Sequence, residues 1–199
     1  MLPELQHALS KYPSDDWEQL SCIDEYENTC RMLDELSISN EIHGNVLGIG
    51  FWTGVELPII SHDVLHDPIK LRPQILTFVG IAEDNFYCDY FEEPLKINLL
   101  STMNSHVFKE SFWNGTPFDF IFMLRISNLP QQLHICLAND IANMLAPDGV
   151  FVASGSGDAL DVITHGNDLH ILRYTNLDAF TYPYPPFINH HMGFVATKK

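Results

Sequence analysis

Apolar positions follow two different rhythms along the chain. Over residues 1–40, Trp17, Leu20, Tyr26, Cys30, Leu33 and Leu36 recur mostly at three- and four-residue steps, the stripe of an amphipathic helix. Ser14 is placed to cap it, and Asp15 and Asp16 suit the positive end of a helix. From residue 44 the rhythm becomes short, near-continuous apolar runs. GNVLGIG (44–50), ILTFVGIA (75–82), the weaker HVFKE (106–110), FDFIFML (118–124) and GVFVASG (149–155) read as strands. Helices are predicted between them: over 53–67, broken near Pro68, over 93–104, and over 131–145. In the last of these, Leu133, Leu137, Ile141 and Leu145 repeat every fourth residue before Pro147 and Gly149 stop it.

Strands without polar alternation, separated by helices, predict a parallel sheet covered on both faces. Beyond Gly157 two further strands follow, LHILRYT (169–175) and MGFVATK (192–198). YPYPPF (182–187) lies between them and is too proline-rich for helix. Two strands with no helix between them predict a closing antiparallel hairpin.

The stretch Val46-Leu47-Gly48-Ile49-Gly50-Phe51-Trp52-Thr53-Gly54 runs a buried strand straight into a glycine turn. Such a turn lets backbone N–H groups approach a ligand at the carboxyl end of a strand. It resembles the first motif of class I S-adenosylmethionine-dependent methyltransferases, commonly V-L-D-L-G-C-G-T-G, with Val46, Leu47, Gly50, Thr53 and Gly54 matching in place. Pro117-Phe118-Asp119-Phe120-Ile121-Phe122 is similar to that family's fourth strand. Leu145-Ala146-Pro147-Asp148-Gly149-Val150-Phe151-Val152 is similar to its turn into strand five.

The resemblance covers roughly residues 40–199 and rests on the order and spacing of short motifs. It implies a Rossmann-like α/β fold: a mostly parallel seven-stranded sheet with helices on both faces and a C-terminal antiparallel hairpin. Residues 1–40 would be a helical N-terminal extension and 41–199 the methyltransferase-like domain. The implied cofactor is S-adenosylmethionine. Gly48, Gly50, Phe51, Trp52, Thr53 and Gly54 would lie around its methionine end, and Ala82 and Glu83 by the ribose. Ser111 and Phe112, placed after strand three, would flank the adenine. Met123, Leu124 and Arg125, after strand four, would face cofactor and substrate.

Three positions depart from the family pattern. Gly48 stands where an acid is usual, Trp52 where a glycine is usual, and Ala82 where the ribose-binding acid is usual, with Glu83 and Asp84 beside it. Trp52 is expected to turn away from the ligand and pack under the N-terminal helix, since Thr53 and Gly54 keep the family spacing after it.

Composition narrows the function. The chain has 199 residues, 10 Lys plus Arg against 26 Asp plus Glu, and a formal charge of -16. That surface repels phosphate backbones and anionic bilayers, which excludes nucleic acid as a general substrate and docking on membranes. No apolar run is long enough to span a bilayer. No basic-then-apolar leader is visible, so a cytoplasmic location is expected. Cys22, Cys30, Cys88 and Cys136 form no CxxC pair and are expected to be reduced.

Other constellations are weaker. His62 and His66 have the i, i+4 spacing of a metal pair, but no glutamate completes H-E-x-x-H and Pro68 follows. A surface helix end is the better reading, and no metal is expected. His190 and His191 are adjacent and would point to opposite faces of a strand. Ser154-Gly155-Ser156-Gly157-Asp158 fails the G-x-S-x-G nucleophile pattern and reads as a polar loop at a strand's end. The acidic, aromatic run Asp84 to Glu93 is either an interaction surface or a solvated helix start. Arg125 is either an anchor for a substrate or cofactor carboxylate or a structural ion pair. His165, His170, His190 and Tyr182 are the candidate bases on the ligand side.

The expected function is methyl transfer to a small molecule. The alternative is a catalytically inactive methyltransferase-like partner or regulatory subunit, working through its acidic, aromatic surface.

Overall fold

A computed structural model describes residues 29–38, 41–49, 76–80, 98–101, 113–126, 131–155, 157–165, 168–176 and 192–199. Its elements in chain order are α1 (29–35), β1 (Val46–Ile49), β2 (Leu76–Gly80), β3 (Asn98–Ser101) and β4 (Phe118–Ile126). These are followed by α2 (Gln131–Met144), β5 (Leu145–Gly155), α3 (Gly157–His165), β6 (Leu169–Asn176) and β7 (Met192–Lys198).

The strands form one seven-stranded sheet in the order β3-β2-β1-β4-β5-β7-β6. The β1–β2, β1–β4, β2–β3 and β4–β5 pairings are parallel. β7 runs antiparallel to both β5 and β6. The predicted C-terminal hairpin is therefore present, and its second strand inserts between β5 and β6. As expected, 118–124 and 149–155 are parallel neighbours, with Phe122 opposite Val152.

Alternation along the strands divides the core into two layers. Ile121, Met123, Phe151, Ala153, Phe194 and Ala196 point to one face, against Leu137 and Ile141 of α2 and Val162 and Ile163 of α3. The opposite face holds Phe120 and Phe122, whose rings stack with centroids 6.0 Å apart. α1 covers that face: Met32 meets Gly193, where a Cβ would lie 2.9 Å from its sulfur. Leu33 and Leu36 of the predicted N-terminal stripe are buried. Trp17, Leu20 and Tyr26 lie outside the described residues, as does the predicted helix at 53–67.

Two expectations are corrected. The helix predicted over 93–104 contains β3 instead, whose Leu99 and Leu100 pair with Phe78 and Val79. An apolar run this short fits either period, and the outer backbone edge of β2 needs hydrogen-bonding partners. HVFKE (106–110), the expected third strand, lies outside the described residues. The segment after Ser156 is not a loop: α3 begins at Gly157 and buries Val162 and Ile163. Its start was hidden because Gly155 and Gly157 read as turn formers.

The turn into β5 has a steric cause. Phe118 pairs with Leu145, then Phe120 with Val150, so Ala146-Pro147-Asp148 is squeezed out of the ladder. Pro147 has no N–H to pair. A Cβ on Gly149 would meet the Ala146 nitrogen, a Leu145 methyl and the Phe118 carbonyl, all at 2.9 Å.

Candidate functional site at the carboxyl edge of the sheet

The strand order fixes where a ligand can sit. From β1 the chain builds outward to β2 and β3 on one side and to β4 and β5 on the other. At such a reversal the connections leave β1 and β4 in opposite directions and open a crevice beyond their carboxyl ends. β1 ends at Ile49, whereas β4 continues past Phe122, the last residue it pairs with β1, to Ile126. The backbone of β4 therefore runs on through Leu124, Arg125 and Ile126 beyond the end of β1. The glycine turn Gly50 to Gly54 follows Ile49 directly in sequence.

The opposite, amino edge is locked. The backbone N–H of Asn45 donates to Asp119 Oδ2 at 2.7 Å, and the Asn45 side-chain amide donates to the Pro117 carbonyl at 3.0 Å. The Asn45 carbonyl accepts the N–H groups of Asp119 and Phe120 at 2.8 and 3.3 Å. This clasp sets β1 against β4, and so sets how far β4 overhangs.

Of the residues implied by the family resemblance, four fall on described backbone. Gly48 is an interior residue of β1, paired with Phe78 on one side and Phe122 on the other, and it is buried. With no side chain, it offers the crevice no carboxylate. Met123 is 1% exposed and its side chain belongs to the α2/α3 core layer. Leu124 is 6% exposed. Arg125 is the penultimate residue of β4. Gly50, Phe51, Trp52, Thr53, Gly54, Ala82, Glu83, Ser111 and Phe112 lie outside the described residues. The third described strand, β3, ends at Ser101, ahead of Ser111 and Phe112 in the chain.

Two candidate bases are corrected by topology. β6 runs parallel to β5, both being antiparallel to β7. His170 pairs with Thr197, which pairs with Val150, and Val150 stands opposite Phe120, level with Val46 at the start of β1, so His170 lies at the amino edge. His165 ends α3, the helix that returns to that same edge, with its Nδ1 2.8 Å from the Asp161 carbonyl. Neither faces the crevice. His190 and Tyr182 lie outside the described residues, in the connection between Asn176 and Met192, and both of those residues sit at the carboxyl edge opposite Gly155. Among the described residues no group of His, Cys, Asp or Glu could hold a metal ion.

Several edge residues were missed by sequence reasoning. Ser101, Asn176 and Met192 end or begin strands at this edge. Finding them needs the strand order, since none stands in a motif of its own. Together with Ile49 and Gly80, they make a carboxyl edge of small and neutral residues. An edge of neutral residues would meet S-adenosylmethionine largely through backbone groups. The side-chain contact the family takes from strand one is missing at Gly48.

No protein-family model matches the sequence, and no curated protein matches it. Solved structures do match in shape. The N-methyltransferase NodS from Bradyrhizobium japonicum superposes with a TM-score of 0.60 at 16% identity, over 88% of this chain and 96% of that one. An S-adenosylmethionine-dependent methyltransferase from Clostridium acetobutylicum gives 0.60 at 12% identity, over 87% and 92%. The [4+2]-cyclase SpnF gives 0.61 at 11% identity, over 84% and 80%. The chain has the class I S-adenosylmethionine-dependent methyltransferase fold. Since a cyclase has this shape too, the fold alone does not fix the reaction.

Proposed function

We propose that the chain is an S-adenosylmethionine-dependent methyltransferase acting on a small molecule in the cytoplasm. The observation that carries this reading is the reversal of strand order between β1 and β4, with the Gly50 to Gly54 sequence following directly on β1. In this reading Gly50, Phe51, Trp52, Thr53 and Gly54 hold the methionine end of the cofactor and Ala82 and Glu83 lie by the ribose. Ser111 and Phe112 flank the adenine, and Leu124 and Arg125 face the reacting groups. Met123, turned into the core, supports the strand from beneath. Residues 1–40 form a helical cover on the domain 41–199. The acidic surface keeps nucleic acid from being the substrate.

Bound S-adenosylmethionine supplies an activated methyl group on sulfur. The chain's part is placement: the rigid β1–β4 pair holds the edge, and the overhang of β4 positions an acceptor in line with the methyl. His190 and Tyr182 remain the candidate bases, entering from the β6–β7 connection, for acceptors that lose a proton.

A second reading, a non-catalytic methyltransferase-like partner or regulatory subunit, is favoured by one observation. Gly48 gives β1 no acid where the family uses one.

Calorimetric titration with S-adenosylmethionine and S-adenosylhomocysteine separates the two. Micromolar binding of both is expected for the enzyme. A folded sample that binds neither leaves only the partner reading.

A further inference from the structure

The connection that leads into β4 holds the chain's single Asn-Gly pair, Asn114-Gly115. It precedes Phe118, the first residue of β4, and so lies at the amino edge, away from the crevice. Asn114, Gly115 and Thr116 are exposed. Gly115 has a φ of +92°, and a Cβ placed on it would meet nothing within 4 Å. No described residue accepts the Gly115 N–H. The turn around it is held in shape. The Thr116 N–H donates to Asn114 Oδ1 at 3.0 Å, and Trp113 Nε1 donates to the Thr116 carbonyl at 2.6 Å. Trp113 in turn packs against the α2/α3 layer of the core. The chain's single Asp-Gly pair, Asp148-Gly149, is the opposite case. Gly149 is buried, and a Cβ there would meet its neighbours at 2.9 Å.

We propose that Asn114 is a self-modification site, at which Gly115 displaces the side-chain amide and aspartate and isoaspartate replace the asparagine. The proposal is independent of the methyltransferase reading. The Gly115 nitrogen gives its proton to solvent, and its electron pair attacks Asn114 Cγ. A C–N bond forms, the bond from Cγ to the amide nitrogen breaks, and that nitrogen takes up a proton and leaves as ammonia. The cyclic imide then adds one water. Opening at Cγ gives aspartate. Opening at the backbone carbonyl gives isoaspartate, with the main chain running through Cβ and Cγ. Water is the only co-reactant, and nothing is oxidised or reduced. Three features of the turn serve this chemistry. The nucleophile is uncommitted, and on a glycine it can rotate toward Cγ with no side chain in the way. The Thr116 N–H on Oδ1 stabilises the negative charge that develops there as Cγ is attacked. Exposure admits the water. At Gly149 the packing blocks the same rotation. Isoaspartate also lengthens the main chain between Trp113 and Thr116 by one atom, which pulls apart the bond from the indole to the Thr116 carbonyl.

The test incubates the folded full chain at mildly alkaline pH in heavy-oxygen water and maps its peptides by mass spectrometry. The peptide holding Asn114 should exchange its amide NH2 for OH, carry one heavy oxygen, and separate by chromatography into aspartate and isoaspartate forms. No conversion, or conversion to aspartate alone, overturns the proposal. Isoaspartate forming at Asp148 as fast as at Asn114 also overturns it, because the fold would then not choose the site. Gly115→Ala should slow conversion about tenfold, since its methyl hinders rotation of the attacking nitrogen. An unchanged rate overturns the proposal. If Gly115→Ala does not fold, Asn114→Gln carries the test. Its carbonyl sits one bond further out and closes a larger ring more slowly, so undiminished conversion at that position is the contrary result. The isolated isoaspartate fraction should unfold at lower denaturant than Asn114→Asp, which adds the same charge on an unaltered main chain. Equal stability overturns the break at Trp113.

Discussion

Asn45 and Asp119, 74 positions apart, exchange hydrogen bonds: the Asn45 N–H donates to Asp119 Oδ2 at 2.7 Å, and the Asp119 N–H donates to the Asn45 carbonyl at 2.8 Å. They close the amino ends of β1 and β4, the two strands between which the crevice opens. Removing the carboxylate in Asp119→Ala leaves a partly buried N–H without its acceptor. We expect a loss of about 1–3 kcal/mol in chemical denaturation. A loss within 0.5 kcal/mol of zero, the range of ordinary surface changes, would mean the clasp is decorative.

Gly44 explains why the clasp is tight. Its φ is +74°, and a Cβ there would lie 2.0 Å from Asp119 Oδ2. Gly44→Ala therefore carries both backbone strain and a clash, and should cost about 1–3 kcal/mol. In the Asp119→Ala background the contacts with the carboxylate are gone and only the Cβ of residue 119, at 2.9 Å, remains, so the double variant should be more stable than the sum of the single losses implies. Strict additivity would show that the side chain of Asp119 is not what crowds position 44.

Gly193 and Met32 give a second coupled pair, between β7 and α1. An added Cβ would meet Met32 Sδ at 2.9 Å, Met32 Cγ at 3.0 Å and Thr175 Cγ2 at 3.3 Å. The methionine can yield, so Gly193→Ala should cost only about 1–2 kcal/mol. Pairing it with Met32→Ala should recover part of that loss. A melting temperature for the double variant at or below the additive value would show that α1 does not press on β7 here.

Burial predicts a contrast between two aromatics. Phe151 is fully buried between β4 and β7, and Phe151→Ala should cost about 3–5 kcal/mol. Tyr174, on the edge strand β6, is 71% exposed, and Tyr174→Ser should stay within about 0.5 kcal/mol of wild type. Comparable losses for the two would contradict the assignment of core and surface.

The sheet was largely legible in the sequence, and the site only in part. The runs at 44–50, 118–124 and 149–155 are apolar because β1, β4 and β5 are central and buried, which leaves a strong one-dimensional signal, and the run at 75–82 marks β2, another interior strand of the sheet. β3 left little signal: its four residues include polar Asn98 and Ser101, and the sequence-based third strand fell elsewhere. The two late strands were visible, but not that β7 slips between β5 and β6. That insertion is a matter of long-range pairing, and it decides which ends of β6 and β7 face the crevice. His165 and His170 were misplaced for this reason: their chemistry was readable and their edge was not. For Arg125 the edge was readable, because it stands near the end of a strand whose identity was plain.

Trp52 stands where the family carries glycine. If its indole turns away from the ligand, Trp52→Gly should lower the melting temperature, with a loss of about 3–5 kcal/mol for a buried ring, and should gain no ligand response. Thermal melts with and without S-adenosylmethionine measure both effects. Stabilisation by ligand in the variant alone would mean that the indole fills the cofactor's place.

The central claim is that the crevice beyond β1 and β4 is an S-adenosylmethionine site. A crystal structure of the chain grown with S-adenosylhomocysteine tests it most directly. The account predicts the ligand beyond Ile49, with its methionine end along the Gly50 to Gly54 turn and its sulfur near the β4 overhang at Leu124 and Arg125. A protein saturated with ligand that holds it anywhere else, or that crystallises at high ligand concentration with this crevice occupied by its own side chains, would contradict it.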